Sequence, residues 1–171
     1  MSLYKFSIKP MIRHLEITSE ILKKGVDYAA EKNIQHEELL QARLIEDMKP
    51  LVYQIQRISD TAKGVVQRVA GAEAVSMPDD EVTFDDLQKR IQKTLDVLNS
   101  VKESDFEGKE DDEVIMKLPS GELKFTGYSY ITGFALPNFY FHVTTAYDIL
   151  RIKGVPVGKA DFLSTTSLNQ I

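Results

Sequence analysis

The chain contains no cysteine and no tryptophan, and only three histidines among its 171 residues. Without cysteine there is neither a disulfide framework nor a thiolate to act as nucleophile or ligand. Long apolar runs are also missing, and no stretch approaches the roughly 18 residues of a membrane span. The opening MSLYKFSIKPMIRHLE has no continuous apolar segment of signal-peptide length, so cytoplasmic residence is the expectation. Positive charge is outnumbered, with 21 Lys and Arg against 26 Asp and Glu, a net charge of −5. The bases are interleaved with acids, as in KRIQK beside DDL, which argues against a cationic face for nucleic acid. What is present is globular: 43% hydrophobic and 27% charged residues, at a length suited to one domain with one core.

Helical periodicity dominates. Ile8, Met11, Ile12, Leu15, Leu22 and Val26 form one apolar stripe and predict a helix over about 8–32, with Ser7 as its N-cap and Pro10 in its first turn. A shorter helical piece follows between His36 and Met48. Pro50 then opens a second long helix, whose stripe is Leu51, Ile55, Ile58, Ala62, Val65 and Val69 and whose end is Gly71. Residues 72–82 read as a loop. Thr83 with Asp85 and Asp86 supplies a cap for a third helix carrying Leu87, Ile91, Leu95 (or Thr94) and Leu98.

The period changes to two at Val114, Met116 and Leu118 and again at Leu123 and Phe125, around Pro119-Ser120-Gly121. This predicts a small β-hairpin over 114–126 that leans on the helices. Pro137 and Asn138 are expected to open the last helix, with Phe139, His142, Val143, Ala146, Ile149 and Leu150 on one face and Gly154 as its stop. Beyond it, VGKADFL reads as extended or irregular, with Phe162-Leu163 packing back and a flexible tail over 164–171. The sum is a mainly all-α single domain, a four-helix bundle with a hairpin between its third and fourth helices.

Three blocks, RLIEDMKPLVYQIQRISDTAK (43–63), VTFDDLQKRIQKTLDVLN (82–99) and NFYFHVTTAYDILRIKGVPVGKADFL (138–163), resemble in order and spacing a family of uncharacterised proteins in the DinB-like superfamily of four-helix bundles. The resemblance spans about residues 5–163. It implies an up-down-down-up bundle, frequent homodimerisation, and a cleft near one end of the bundle. It also implies, for many members, a divalent metal held by one histidine on the second helix and two on the last, one turn apart. Here the second long helix has no histidine, and the residue one turn after His142 is Ala146. His14 and His36 lie elsewhere. The expectation is therefore a degenerate metal site, with no metal ligands and no cofactor nominated.

His142 shares a face with core residues. It is either a general acid/base or remnant ligand in a cleft, or a histidine hydrogen-bonded within the bundle. Asp60, with Gln56 one turn earlier and Lys63 one turn later, could line a polar cavity with His142 and Tyr147, or form a surface ion pair. Asp47 is expected to cap the second helix, and with Arg43 could instead close one end of a cleft. Gly154 to Lys159 falls one residue short of a phosphate loop, and Ala160 replaces its Ser or Thr. No catalytic triad, HExxH or GxSxG is present. Three functions are compatible with these features: a small-molecule binder or enzyme working without the usual metal, a metal enzyme with an atypical histidine/carboxylate site, and a non-catalytic dimeric module.

Overall fold

The structure, a computed structural model, describes residues 2–118 and 121–164. Four long helices build the bundle. The first, α1 (Leu3–Lys32), begins five residues earlier than its apolar stripe suggests. Ser2, not Ser7, is its N-cap, accepting from the Lys5 amide, while Ser7 is buried and donates to the Leu3 carbonyl. The short helical piece expected between His36 and Met48 (EELLQARL) is a five-residue helix, α2 (His36–Leu40). The second long helix, α3 (Leu51–Arg68), follows with Pro50 at its N-cap, and no side chain caps it, so Asp47 does not take that role. The third, α4 (Phe84–Asn99), carries the expected capping box between Thr83 and Asp86.

A short 3-10 turn (Glu103–Phe106) leads to the hairpin of β1 (Glu113–Leu118) and β2 (Gly121–Thr126), paired antiparallel from Glu113 opposite Thr126 to Leu118 opposite Gly121. Its base is anchored because Val114 and Met116 are buried. The last helix does not start at Pro137. It runs without a break through α5 (Gly127–Tyr130), a π turn (Ile131–Ala135) and α6 (Leu136–Ile152). Proline has no N–H for an i−4 bond and its ring crowds that carbonyl. The π turn absorbs this: the Leu136 amide donates to Ile131, five residues back, and Pro137 enters without ending the helix. Gly154, at φ 93°, then stops the chain, and a Cβ there would meet the Tyr28 hydroxyl. The tail is not wholly irregular, since α7 (Lys159–Leu163) folds back over α1. The expected flexible tail lies outside the described residues apart from Ser164.

Side-chain pairs fix the helix directions. Gly25 with Phe84, Ser19 with Gln88 and Lys5 with Glu103 show α1 and α4 antiparallel. Gln54 with His142, Thr61 with Asn138 and Arg68 with Tyr130 make α3 antiparallel to the last helix. His14 with Tyr140 and Gly25 with Leu150 make α1 parallel to it. The segment between α3 and α4 runs back along α3, with Val75 at Lys63, Met77 at Ser59, Asp79 at Arg57 and Glu81 at Gln56. This strap returns the chain to the beginning of α3, so α4 starts there and runs parallel to it. The order is up-down-down-up. Leu15, Leu22, Ile55, Ile58, Leu87, Leu98, Phe139 and Ile149 are fully buried between the helices. Each such side chain stabilises by roughly 1.5–3 kcal/mol.

Candidate functional site

The polar groups of the bundle gather on two sides of α3. On the side facing α6, His142 is 9% exposed, and its Nδ1 lies 2.7 Å from Gln54 Oε1. The Gln54 amide nitrogen donates to the Lys49 carbonyl at 2.8 Å. That second bond makes Oε1 the acceptor, so His142 carries its proton on Nδ1. The rings of Tyr53 and Phe141 meet the imidazole edge-on. Burial, reinforced by the positive charge of Arg57, pushes the His142 pKa down to about 4. At neutral pH it is an uncharged imidazole fixed in the bundle.

The other side of α3 is ionic. Arg90 lies on the apolar stripe of α4, with its side chain 1% exposed. Its guanidinium donates to Asp60 Oδ1 at 2.9 Å, to Glu81 Oε1 at 2.7 Å and to the Pro78 carbonyl at 3.0 Å, and meets Asp79 Oδ1 at 3.1 Å. Arg57 bridges Asp60, at 3.0 Å, and Asp79, and its guanidinium covers the Tyr53 ring. Lys63 reaches Asp60 Oδ1 at 3.1 Å and the Val75 carbonyl at 3.2 Å. Gln56 donates to Glu81 Oε2 at 2.9 Å. Burial works against ionisation of Glu81, but the bonds from Arg90 and Gln56 outweigh it and hold its carboxyl below the usual range. Three cations and three carboxylates thus compensate one another while fastening the strap to α3 and α4. A buried guanidinium is costly to desolvate and is tolerated when matched in this way.

Of the residues nominated from sequence, Asp60, Gln56 and Lys63 do come together in this network. His142 lies on the opposite side of α3, linked to the network only through Tyr53 and Arg57. Tyr147 is half-buried against Phe162 of α7 and does not join His142. Arg43 donates to the Met48 carbonyl at 3.0 Å within the connection before α3, and Asp47 is exposed in that connection. Sequence reasoning missed Arg90, Arg57, Asp79, Glu81 and Gln54. The available signal was an arginine between Leu87 and Ile91, three residues from one and one from the other, on an otherwise apolar face.

Beside the network lies a cleft of about 680 Å³ between the strap and α4. Met77 and Pro78 give it an apolar wall, Arg90 and Glu81 line it at the network, and Asp80, Lys89 and Lys93 supply further charge. Glu81 and Lys89 are already paired, with Arg90 and Asp86 respectively. Asp80 on the strap and Lys93 on α4 have no ion pair or hydrogen bond among the described residues. A second cleft of about 620 Å³ lies between α1, α4 and α7. Neither cleft is lined by His142 or Tyr147.

The donor set does not suit the three-histidine metal centre that the resemblance implies. His142 offers one imidazole whose neighbours are an amide, two aromatic rings and the field of Arg57. His14 is instead bonded to the Pro10 carbonyl and packed on Tyr140, and His36 packs on Phe84. Among the described residues no three His, Asp or Glu side chains are grouped to hold a cation.

Helix order, strap and hairpin together define a DinB-like four-helix bundle. The chain is similar to a DinB family member protein from Shewanella denitrificans, whose crystal structure was determined at 1.83 Å resolution. The TM-score is 0.88 and the sequence identity 35%, over 94% of this chain and 91% of that one. The family model described as Domain of unknown function (DUF1993) matches residues 3–163, and the chain belongs to that family. No curated protein matches it.

Proposed function

We propose that this DinB-like protein binds a small polar molecule carrying both charge signs in the cleft between the strap and α4, without the three-histidine metal centre. The supporting observation is the pair of oppositely charged side chains, Asp80 on the strap and Lys93 on α4, that line that cleft without an ion pair or hydrogen bond among the described residues. Its volume is within the usual range of about 300–1,000 Å³ for small-ligand sites. The Arg90 network holds the strap in place behind them, so the two charges are presented without further ordering of the chain. A free amino acid has the matching chemistry: an ammonium for Asp80 and a carboxylate for Lys93.

Calorimetric titration with a panel of free L-α-amino acids tests the proposal. Binding in the micromolar-to-millimolar range is expected for at least one of them, weakened about tenfold by Lys93→Glu, which turns attraction into repulsion. No heat from any of the panel, or binding indifferent to Lys93→Glu and Asp80→Lys alike, overturns it. Homodimerisation belongs to the same reading.

A further inference from the structure

The hairpin is the only sheet among the described residues, and it has two strands and therefore two open edges. The Gly127 amide donates to the Asp112 carbonyl, which continues the β1–β2 ladder and sets its parity. Even-numbered residues of β1 bond to β2. The N–H and C=O groups of Glu113, Ile115 and Lys117 therefore point away from β2, along the free edge. The side chains of these three residues are exposed, whereas Val114 and Met116 between them are buried against the bundle. Open edges of this kind are templates for another strand.

We infer that β1 pairs edge to edge with β1 of a second copy of this chain, antiparallel about a two-fold axis at Ile115. The occupant follows from charge. In that register Glu113 of each copy lies opposite Lys117 of the other, and the exposed Ile115 side chains meet across the axis. All three outward residues fall in hydrogen-bonded pairs, so every open backbone group of Glu113, Ile115 and Lys117 finds a partner. Within its own hairpin Glu113 has only a loose contact with Lys124, at 3.8 Å, and remains available. The β2 edge is the poorer choice: its outward residues are Glu122, Lys124 and Thr126, and centring them places Lys124 against Lys124. The β1 edge alone reads as its own complement. The resulting sheet has four strands, and because the edge is short the dimer forms in the micromolar range and not below it.

Sedimentation velocity on the full chain across the micromolar range tests this. The unmodified chain is expected to shift from monomer to dimer as concentration rises. Ile115→Pro removes an outward N–H without touching the β1–β2 ladder, so the chain stays folded and monomeric. Lys117→Glu places two acids opposite each other at both ends of the pair and weakens the dimer about tenfold. The double exchange Glu113→Lys with Lys117→Glu restores opposite charges and recovers the dimer. Circular dichroism confirms that each variant is folded, and Lys117→Glu with its rescue serves if Ile115→Pro is not. A chain that is monomeric throughout the range, a dimer that survives both single variants, or a double exchange that recovers nothing overturns the inference.

Discussion

Toward α6, α3 presents Gln54 to a single neutral imidazole; toward α4 and the strap it presents Gln56, Arg57, Asp60 and Lys63 to a buried guanidinium. The residue types on the two sides are equally capable of chemistry. Their surroundings separate them. His142 is flanked by rings and bonded at Nδ1 to one amide, and burial holds it uncharged at neutral pH. Arg90 is more deeply buried, and three carboxylates converge on its guanidinium and match its charge. A core-facing position alone therefore does not distinguish a hydrogen-bonded core histidine from a reactive one. A charged residue on an apolar stripe is the better pointer when acids lie on the segment that covers it.

The largest effect expected from this contrast is at Arg90. Arg90→Met leaves Glu81 buried and ionised without its main partner and frees the strap from α4. The cost should be about 3–5 kcal/mol in urea unfolding, and Arg90→Lys should recover only part of it because a point charge cannot span the carboxylates. A loss under about 1 kcal/mol would mean that the network is no more than a surface feature.

The next effect belongs to His142. Its pKa in the fold is about 4, below the ordinary histidine value of 6.5, so the unfolded chain binds more protons between those limits. Stability from this residue is complete above about pH 6.5, declines as pH falls toward 4, and changes no further below that, a total of up to about 3 kcal/mol. His142→Gln, which cannot titrate, should flatten that part of the pH–stability profile relative to the unmodified chain. Equal slopes in the two proteins would show that the imidazole is not held neutral by burial.

The smallest effect is at Lys63. Its partner Asp60 is more than a third exposed and retains Arg57 and Arg90. Lys63→Ala should cost no more than about 0.5 kcal/mol in the same denaturation assay. A larger loss would assign the fastening of the strap to Lys63 as much as to Arg90.

The bundle itself was legible because apolar residues at helical spacing commit a face to the core wherever they occur. The stripes of α1, α3 and α4, the Thr83 cap and the period-two hairpin all express local rules. The beginning of the last helix was not legible, because Pro137 has the same signature at a helix start as after a π turn. The path of the strap escaped notice for a different reason. Residues 72–82 carry almost no periodicity, and what lays them along α3 is the pairing of Asp79 and Glu81 with Arg57 and Arg90, and of the Val75 carbonyl with Lys63, across nine to 22 positions of sequence. Asp60, Gln56 and Lys63 could be nominated because they share one helix. Their partners on α4 and the strap could not, since nothing local joins Arg90, Asp79 or Glu81 to that helix. Tyr147 was grouped with His142 by sequence proximity, but five residues along a helix turn it toward α7.

The proposed ligand site lies on the strap side of α3, away from His142. Amide and imidazole resonances of the full chain, followed by NMR while free L-α-amino acids are added, separate the two sides. Shifts are expected in residues 75–81 and around Lys89 and Lys93, with His142, Gln54 and Tyr53 unmoved. Shifts centred on His142, Gln54 and Tyr53, with the strap silent, would contradict it.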